Sequence, residues 1–389
     1  MKIESLQIDG IGGIKSLYLE FHEGLNVICG ANGVGKTTIL DIIADAFVYA
    51  GCNLKRNASF KKGKYSIFYK NAKEVSVKKN VEVCEFSPEK NDTRGNSSIE
   101  SQYILLFSIN RTINYNMLQA IPKDTSRSNV DSARQLISGV QISDLKGWFV
   151  NRYVFFDKND SLSNEQKCNF ELATKALSLL DPTVQFHTVD AGSLDIMLTT
   201  KHGEVYFEYL SAGYKSCFSL VLGLIKEIEL RFKSPFIKAE DFNGVVLIDE
   251  IDLHLHPTWQ GPLIQSLKQL FPKVQFIVTT HSPSILQTLK SEEIIALSCD
   301  ENGDTVRKEF ELGQYGLQGW TIEEILKYIM GMKIITSAEY ESAIKRFDNA
   351  MNEEDIGRIK ELYNILKEML HPSNVLLKMF EIQIAGFEE

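Results

Sequence analysis

No uninterrupted apolar run in this 389-residue chain reaches the roughly 18–20 residues that a bilayer-spanning helix requires, so no membrane-spanning helix is expected within it. The opening stretch MKIESLQIDG also lacks the charged-then-apolar build of a secretory signal, and the expectation is a soluble, cytoplasmic protein without a membrane partner. Cysteine is sparse and unpaired: the six residues at 29, 52, 84, 168, 217 and 299 form no C-x-x-C. This excludes zinc ribbons, zinc hooks and a disulfide framework, and predicts reduced thiols that are mostly buried. Internal repeats and sustained heptads are missing as well, which excludes a long coiled coil. A formal net charge of −9 argues against the molecule as a whole serving as a nucleic-acid-binding surface.

Hydrophobic residues make up 44% of the chain, enough for a sizeable core in one elaborated domain or two. The most informative stretch is CGANGVGKTT, Cys29 to Thr38, which fits G-x-x-x-x-G-K-[ST] through Gly30, Gly35, Lys36 and Thr37. It lies between LNVIC, a strand-like apolar run, and TTILDIIADAFVYA, which reads as a helix. The chemistry of that spacing is anion binding: unpaired N–H groups at a helix N-terminus attract phosphate. Gly30, Gly33 and Gly35 let the backbone curl close, Lys36 reaches the β- and γ-phosphates, and the Thr37 hydroxyl takes one position on Mg²⁺.

Three later stretches follow in order. LSAGYKS, Leu210 to Ser216, opens the apolar helix CFSLVLGLIKEIEL, although a Ser at a helix start is also an ordinary N-cap. GVVLIDEIDLHLHP reads as a buried strand ending in Asp249 and Glu250. Strand alternation divides their labour, Asp249 toward Mg²⁺ and Glu250 toward a water aligned on the γ-phosphate. VQFIVTTHSP supplies a second buried strand that ends in His281, suited to contacting the γ-phosphate. His254 and His256 share an i, i+2 spacing but have no evident third ligand, so a structural or interface role is expected of them.

These four motifs in this order resemble the ATP-binding-cassette ATPases, in the soluble branch that includes SMC, RecF-like and OLD-family proteins, over most of residues 1–312. The phrase DEIDLHLHPTWQ is similar to that branch rather than to transporter subunits, whose signature usually reads LSGGQ. The resemblance implies that GANGVGKT is Walker A, which adds Asn32 and Thr38 to the cofactor-binding residues. It implies that LSAGY, with Ser211 and Gly213, is the signature, and that VVLIDE is Walker B with Asp249 on the metal beside Thr37 and Glu250 catalytic. Asp252 takes the D-loop place, His281 that of the switch histidine, and Gln102 is the candidate for the glutamine loop. ATP and Mg²⁺ are the implied cofactors. The implied fold is α/β, a cassette-type P-loop head with a mixed sheet and flanking helices, carrying an inserted helical lid at about residues 111–182. In the resembling families the signature closes on a partner's P-loop, so a homodimer or higher even oligomer is implied.

The rest of the chain completes the expectation. Strands are predicted near residues 2–8, 16–21 and 25–29, and in YSIFYK, VSVKKNVEVCEF and YILLFS. The polar stretch from Asn110 to Arg134 reads as a loop that orders on binding something, and helices follow over Ile142–Phe156 and Asn164–Leu180. Residues 313–389 turn helical, with capping boxes at Thr321/Glu324 and Thr336/Glu339 and amphipathic faces that pack on each other and on the head. YGLQGWTIEEILKYIMGM and LHPSNVLLKMFEIQIAG are similar to the C-terminal parts of compact ATPases from bacterial anti-phage systems of the Septu, PARIS and retron-associated kinds.

An OLD-type nuclease would carry Asp-x-Asp in a following TOPRIM domain, and the 108 residues after His281 contain none. The expected function is therefore an ATPase subunit that senses or gates a partner effector, a nuclease or toxin. A RecF-like DNA clamp is the alternative. Its support is the run from Lys55 to Lys79, nine Lys or Arg against one acid, Glu74, interleaved with Phe60, Tyr65, Phe68 and Tyr69. The same composition suits a solvated edge strand. A transporter nucleotide-binding subunit is the weaker third reading.

Overall fold

Period-two alternation at the N-terminus and unbroken apolar runs further on specify two different kinds of sheet. The computed structural model describes residues 1–48, 54–89, 99–111, 113–332 and 336–386. The chain begins β1 (Lys2–Ile11), β2 (Ile14–Glu20), β3 (Leu25–Gly30), α1 (Lys36–Asp45), β4 (Gly63–Lys70), β5 (Ser76–Val83) and β6 (Ile104–Phe107). It continues α2 (Asn129–Ser138), α3 (Leu145–Phe155), α4 (Asn164–Leu180), β7 (Gln185–Val189), β8 (Ile196–Thr200), β9 (Gly203–Tyr206) and α5 (Ala212–Arg231). Then come β10 (Val245–Ile248), α6 (Pro257–Leu270), β11 (Gln275–Thr279), α7 (Pro283–Leu286), β12 (Ile294–Cys299), β13 (Thr305–Arg307) and α8 (Ile322–Glu324).

The central six-stranded sheet runs β13-β12-β3-β11-β10-β6 and is parallel except for its β13 edge. LNVIC, VVLI and QFIVT are buried throughout because both faces are covered. Ile28, Leu247 and Ile277 face α1 and the antiparallel sheet β2-β1-β4-β5. Val27, Val246 and Val278 face α3 to α6. Because β3, β11, β10 and β6 are parallel, their C-terminal ends share one rim. The mixed sheet with flanking helices is the α/β head expected. No described helix is long and apolar enough to cross a membrane.

Several sequence expectations shift. The helix after the P-loop is assigned only to Asp45, and the Tyr49–Ala50 end of the expected helix lies outside the described residues, as does Cys52. Of the described cysteines only Cys29 and Cys217 are buried, while Cys84 and Cys299 are exposed. The stretch expected to be loop through Arg134 becomes helical at Asn129, since Ser128 and Asp131 form a reciprocal capping box. Upstream, the loop is already anchored: the Arg127 amide donates to the Leu230 carbonyl at 3.0 Å, and Asp124 pairs with Arg152.

The segment expected as a lid is built into the head. Val140, Leu145, Phe149, Phe170 and Leu177 share one core with α5. The fully buried Glu229 carboxylate on α5 accepts from Trp148 Nε1 at 3.0 Å, Arg152 Nε at 2.7 Å and Asn169 Nδ2 at 3.0 Å. Lys226 and Glu227 bind Asp144 and Arg127 in the same way.

Two compact units result, Met1–Gly331 and Met332–Glu389. The head thus extends beyond residue 312, because Leu317, Ile325 and Ile329 are buried in its core. Thr321 and Glu324 form the predicted capping box. In the second unit, α9 (Ala338–Asn352), α10 (Ile356–Met369) and α11 (Val375–Ala385) bury Phe347, Leu362, Leu366 and Phe380 together. Its first cap is Ser337, accepting from the Tyr340 amide, rather than Thr336, whose hydroxyl reaches Glu341.

Candidate active site

The loop between β3 and α1 is shaped by backbone that only glycine tolerates. Gly30 has φ +143°, and a Cβ there would stand 2.2 Å from the Leu297 carbonyl oxygen. Gly35, at φ +96°, is the N-cap of α1, and no side chain caps that helix. Its first amides therefore face the loop, the arrangement that binds phosphate. Asn32 and Gly33 are exposed at the loop tip. Lys36 is buried, and its Nζ donates to the carbonyls of Gly30 and Ala31, both at 2.9 Å. Burial lowers its pKa, opposed by Cys29, Glu250, Asp249 and Asp252.

Across the rim, β10 ends at Ile248, so the carboxylates lie beyond the strand. Strand alternation does not separate them, contrary to expectation; a turn does, with Glu250 in the left-handed region at φ +47°. Thr37 Oγ1 lies 3.2 Å from both carboxylate oxygens of Asp249. Thr279 Oγ1 donates to Asp249 at 2.7 Å and accepts from the Glu250 amide at 2.7 Å. Asp252 accepts from Thr280 Oγ1 at 2.6 Å and from the His281 amide at 3.3 Å. Burial, then Lys36, lowers the His281 pKa, with Asp252, Glu250 and Asp249 opposing. A neutral imidazole at neutral pH follows.

A hydroxyl and a carboxylate so placed are hard oxygen donors that fit Mg²⁺. Among the described residues no group of three or more His, Cys, Asp or Glu is placed to hold a metal. An ion here would complete its shell with phosphate oxygens and water.

Ser211 has N-cap backbone geometry, is exposed and makes no side-chain cap hydrogen bond. A Cβ on Gly213 would lie 3.2 Å from the His254 carbonyl, so the start of α5 packs on the turn after Glu250. Among the described residues no hydrogen bond joins Ser211 or Gly213 to residues 30–38. The fold thus gathers Lys36, Thr37, Asp249, Glu250, Asp252 and His281. Thr38, on α1, lies beside Gly12. His256 caps α6 by accepting from the Thr258 amide, a structural role.

Gln102 is at the wrong end of the sheet. It precedes β6, whereas the site lies at the C-terminal ends of the strands. The C-terminal end of β6 carries Arg111 instead, a buried guanidinium that sequence reasoning missed. Burial lowers its pKa to about 10, so it stays charged at neutral pH. Asp41 on α1 was missed as well; burial, Asp249 and Asp45 push it up to about 6. Neither belongs to a motif, so only their placement identifies them. In the lysine-rich run, Lys62 pairs with Glu82, Lys64 with Asp9 and Lys70 with Glu4, all within the N-terminal sheet or at its rim. Three of the run's nine cations are thus paired with acids.

Residues 2–305 match the family described as the RecF/RecN/SMC N terminal domain. The chain is 42% identical over 391 residues to the Septu protein PtuA of Bacillus thuringiensis, spanning 99% of this chain and 98% of that protein. It is 41% identical over 101 residues to the retron Vc95 probable ATPase of Vibrio cholerae serotype O1 biovar El Tor, 26% of this chain and 20% of that one. The crystal structure of an SmcHead bound to the C-winged helix domain of ScpA superposes with a TM-score of 0.50 at 18% identity, covering 80% of this chain and 98% of that one. At that identity the likeness concerns the fold alone.

Proposed function

Since the chain belongs to the RecF/RecN/SMC N-terminal-domain ATPases and, over nearly its whole length, to the family of Septu PtuA, we propose that it is the Mg²⁺-dependent ATPase subunit of an anti-phage defence system. The observation that carries this reading is the meeting of Thr37 and Asp249 beneath a P-loop whose Lys36 is already aimed across the loop. ATP would lie on the first amides of α1, with Lys36 neutralising the β- and γ-phosphates. Thr37 and Asp249 would hold Mg²⁺, which when bound spreads the charge of the β- and γ-oxygens. Glu250 would orient the water and His281 would donate to the γ-phosphate. As the water oxygen bonds to γ-phosphorus the bond to ADP breaks, leaving phosphate.

On this reading Ser211 and Gly213 would complete a site on a partner chain rather than on their own. Two copies related by a two-fold axis would place each signature on the other's nucleotide and make two equivalent sites. ATP then holds the pair closed, and its hydrolysis times the gating of a separate effector, a nuclease or toxin. The test is ATP turnover with light scattering of Glu250→Gln. Hydrolysis by the wild-type chain and ATP-dependent dimers of the slow variant are expected. Undiminished turnover in Glu250→Gln would remove the assignment.

A further inference from the structure

Arg111 stands at the junction of the two half-sites. It follows β6, which pairs in parallel register with β10 so that Phe107 lies opposite Ile248 and the Asp249 amide donates to the Phe107 carbonyl at 2.9 Å. The side chain is 3% exposed. Its Nη1 donates to the carbonyls of Asp249 at 2.7 Å and Ser108 at 3.2 Å, and its Nη2 donates to the Glu250 carbonyl. Nε lies 3.4 Å from Ser216 Oγ on α5. Ser216 Oγ donates in turn to the Leu253 carbonyl at 3.1 Å, and the Leu253 amide donates to the Glu250 carbonyl at 2.9 Å.

The consequence lies in Glu250. A residue with a Cβ at φ +47° stays in the left-handed region only when its surroundings hold it there. On one side the Glu250 amide is fixed by Thr279 Oγ1. On the other its carbonyl is fixed by Arg111 and the Leu253 amide. Only a planar guanidinium presents donors in enough directions to serve two consecutive carbonyls, a third carbonyl and a hydroxyl at once; an ammonium is a point charge.

We propose that Arg111 is a positioning residue that sets the Asp249–Glu250 turn and ties it to α5, so that the catalytic carboxylate and the signature Ser211 move as one body. The inference rests on the hydrolytic reading above. Occupancy of a chain's own nucleotide site, felt at Asp249 and Glu250, is thereby transmitted through Ser216 to the signature that serves the partner chain. Arg111 thus does the coupling work for which Gln102 is badly placed.

The test uses the full-length chain with Arg111→Lys, Arg111→Ala and Ser216→Ala, beside Lys36→Ala and Glu250→Gln as controls. Arg111→Lys decides the matter if the alanine variant fails to fold. Expected are ATP affinity and KM within about threefold of wild type, with kcat reduced about tenfold in Arg111→Lys and about a hundredfold in Arg111→Ala. Amide exchange should quicken together at residues 249–256 and 212–217 in Arg111→Lys and, more weakly, in Ser216→Ala. Wild-type kcat in Arg111→Lys, or exchange unchanged in both segments, would overturn the proposal while the Glu250→Gln control upholds the hydrolytic reading. If the wild-type chain itself turns nothing over, that reading fails, and the exchange result alone decides whether Arg111 ties the two segments.

Discussion

Thr37 and Asp249 are 212 residues apart in sequence, yet the threonine hydroxyl sits 3.2 Å from each oxygen of the aspartate carboxylate. Parallel pairing brings them together: β11 lies between β3 and β10, and all three strands end at one rim. The Thr279 hydroxyl, which ends β11, then holds Asp249 and Glu250 in place.

Lys36→Ala removes the ammonium that now bridges the carbonyls of Gly30 and Ala31. Charged hydrogen bonds are worth about 1.5–3 kcal/mol, so ATP should bind about 10- to 100-fold more weakly. Hydrolysis should be undetectable while circular dichroism is unchanged. Titration calorimetry showing wild-type affinity would remove Lys36 from the site.

Mixing Lys36→Ala chains with Ser211→Arg chains tests whether the signature acts on a partner. If it does, both lesions fall in one site of the mixed dimer and the other site is intact. Turnover should then reappear on mixing two inactive parents. Parents that exchange subunits, followed by mass spectrometry, yet stay inactive would confine each site to a single chain.

Glu227 links pH to stability. Its burial would raise the carboxyl pKa, but Lys226, Arg231 and Arg127 outweigh it and hold the group at about 2, below the 4.5 of a free glutamate. A depressed folded-state pKa stabilises fully above 4.5, and the contribution is lost as pH falls toward 2. Glu227→Gln takes the carboxylate away from the buried Arg231, while Asp144 still pairs with Lys226 and Arg127, and should cost about 3–5 kcal/mol at pH 7. Urea midpoints of wild type and variant should converge as pH drops from 4.5 to 2. A gap constant over that window would refute the assigned charge.

Gly30→Ala and Gly33→Ala should differ. Both positions have positive φ, but a Cβ at Gly30 meets the Leu297 carbonyl at 2.2 Å, whereas nothing lies within 4 Å of one at Gly33. Gly33→Ala should cost about 1 kcal/mol, and Gly30→Ala distinctly more, with loss of ATP binding. Equal melting temperatures for the two variants would contradict the close approach of β12 to the P-loop.

The P-loop, the paired carboxylates and the head's strands are legible in the sequence because each depends on neighbours within a few residues: glycines at fixed offsets, apolar runs bounded by turns. The contacts of Arg111 and Ser216 are not, because these residues belong to no motif and meet only where β6 and α5 reach the turn after β10. Gln102 was drawn to the wrong end of its strand because linear order does not reveal strand direction relative to the site. The helical segment between β6 and β7 reads as a lid in sequence; in three dimensions Arg152, Trp148 and Asn169 converge on Glu229 and make it part of the head. By itself, then, the sequence determined the strand–loop–helix context of the P-loop and the mixed α/β head, since local backbone and side-chain chemistry suffice for both. Tertiary structure alone decided which buried charges hold the turn after β10, because such contacts join residues more than a hundred positions apart through packing that no local pattern encodes.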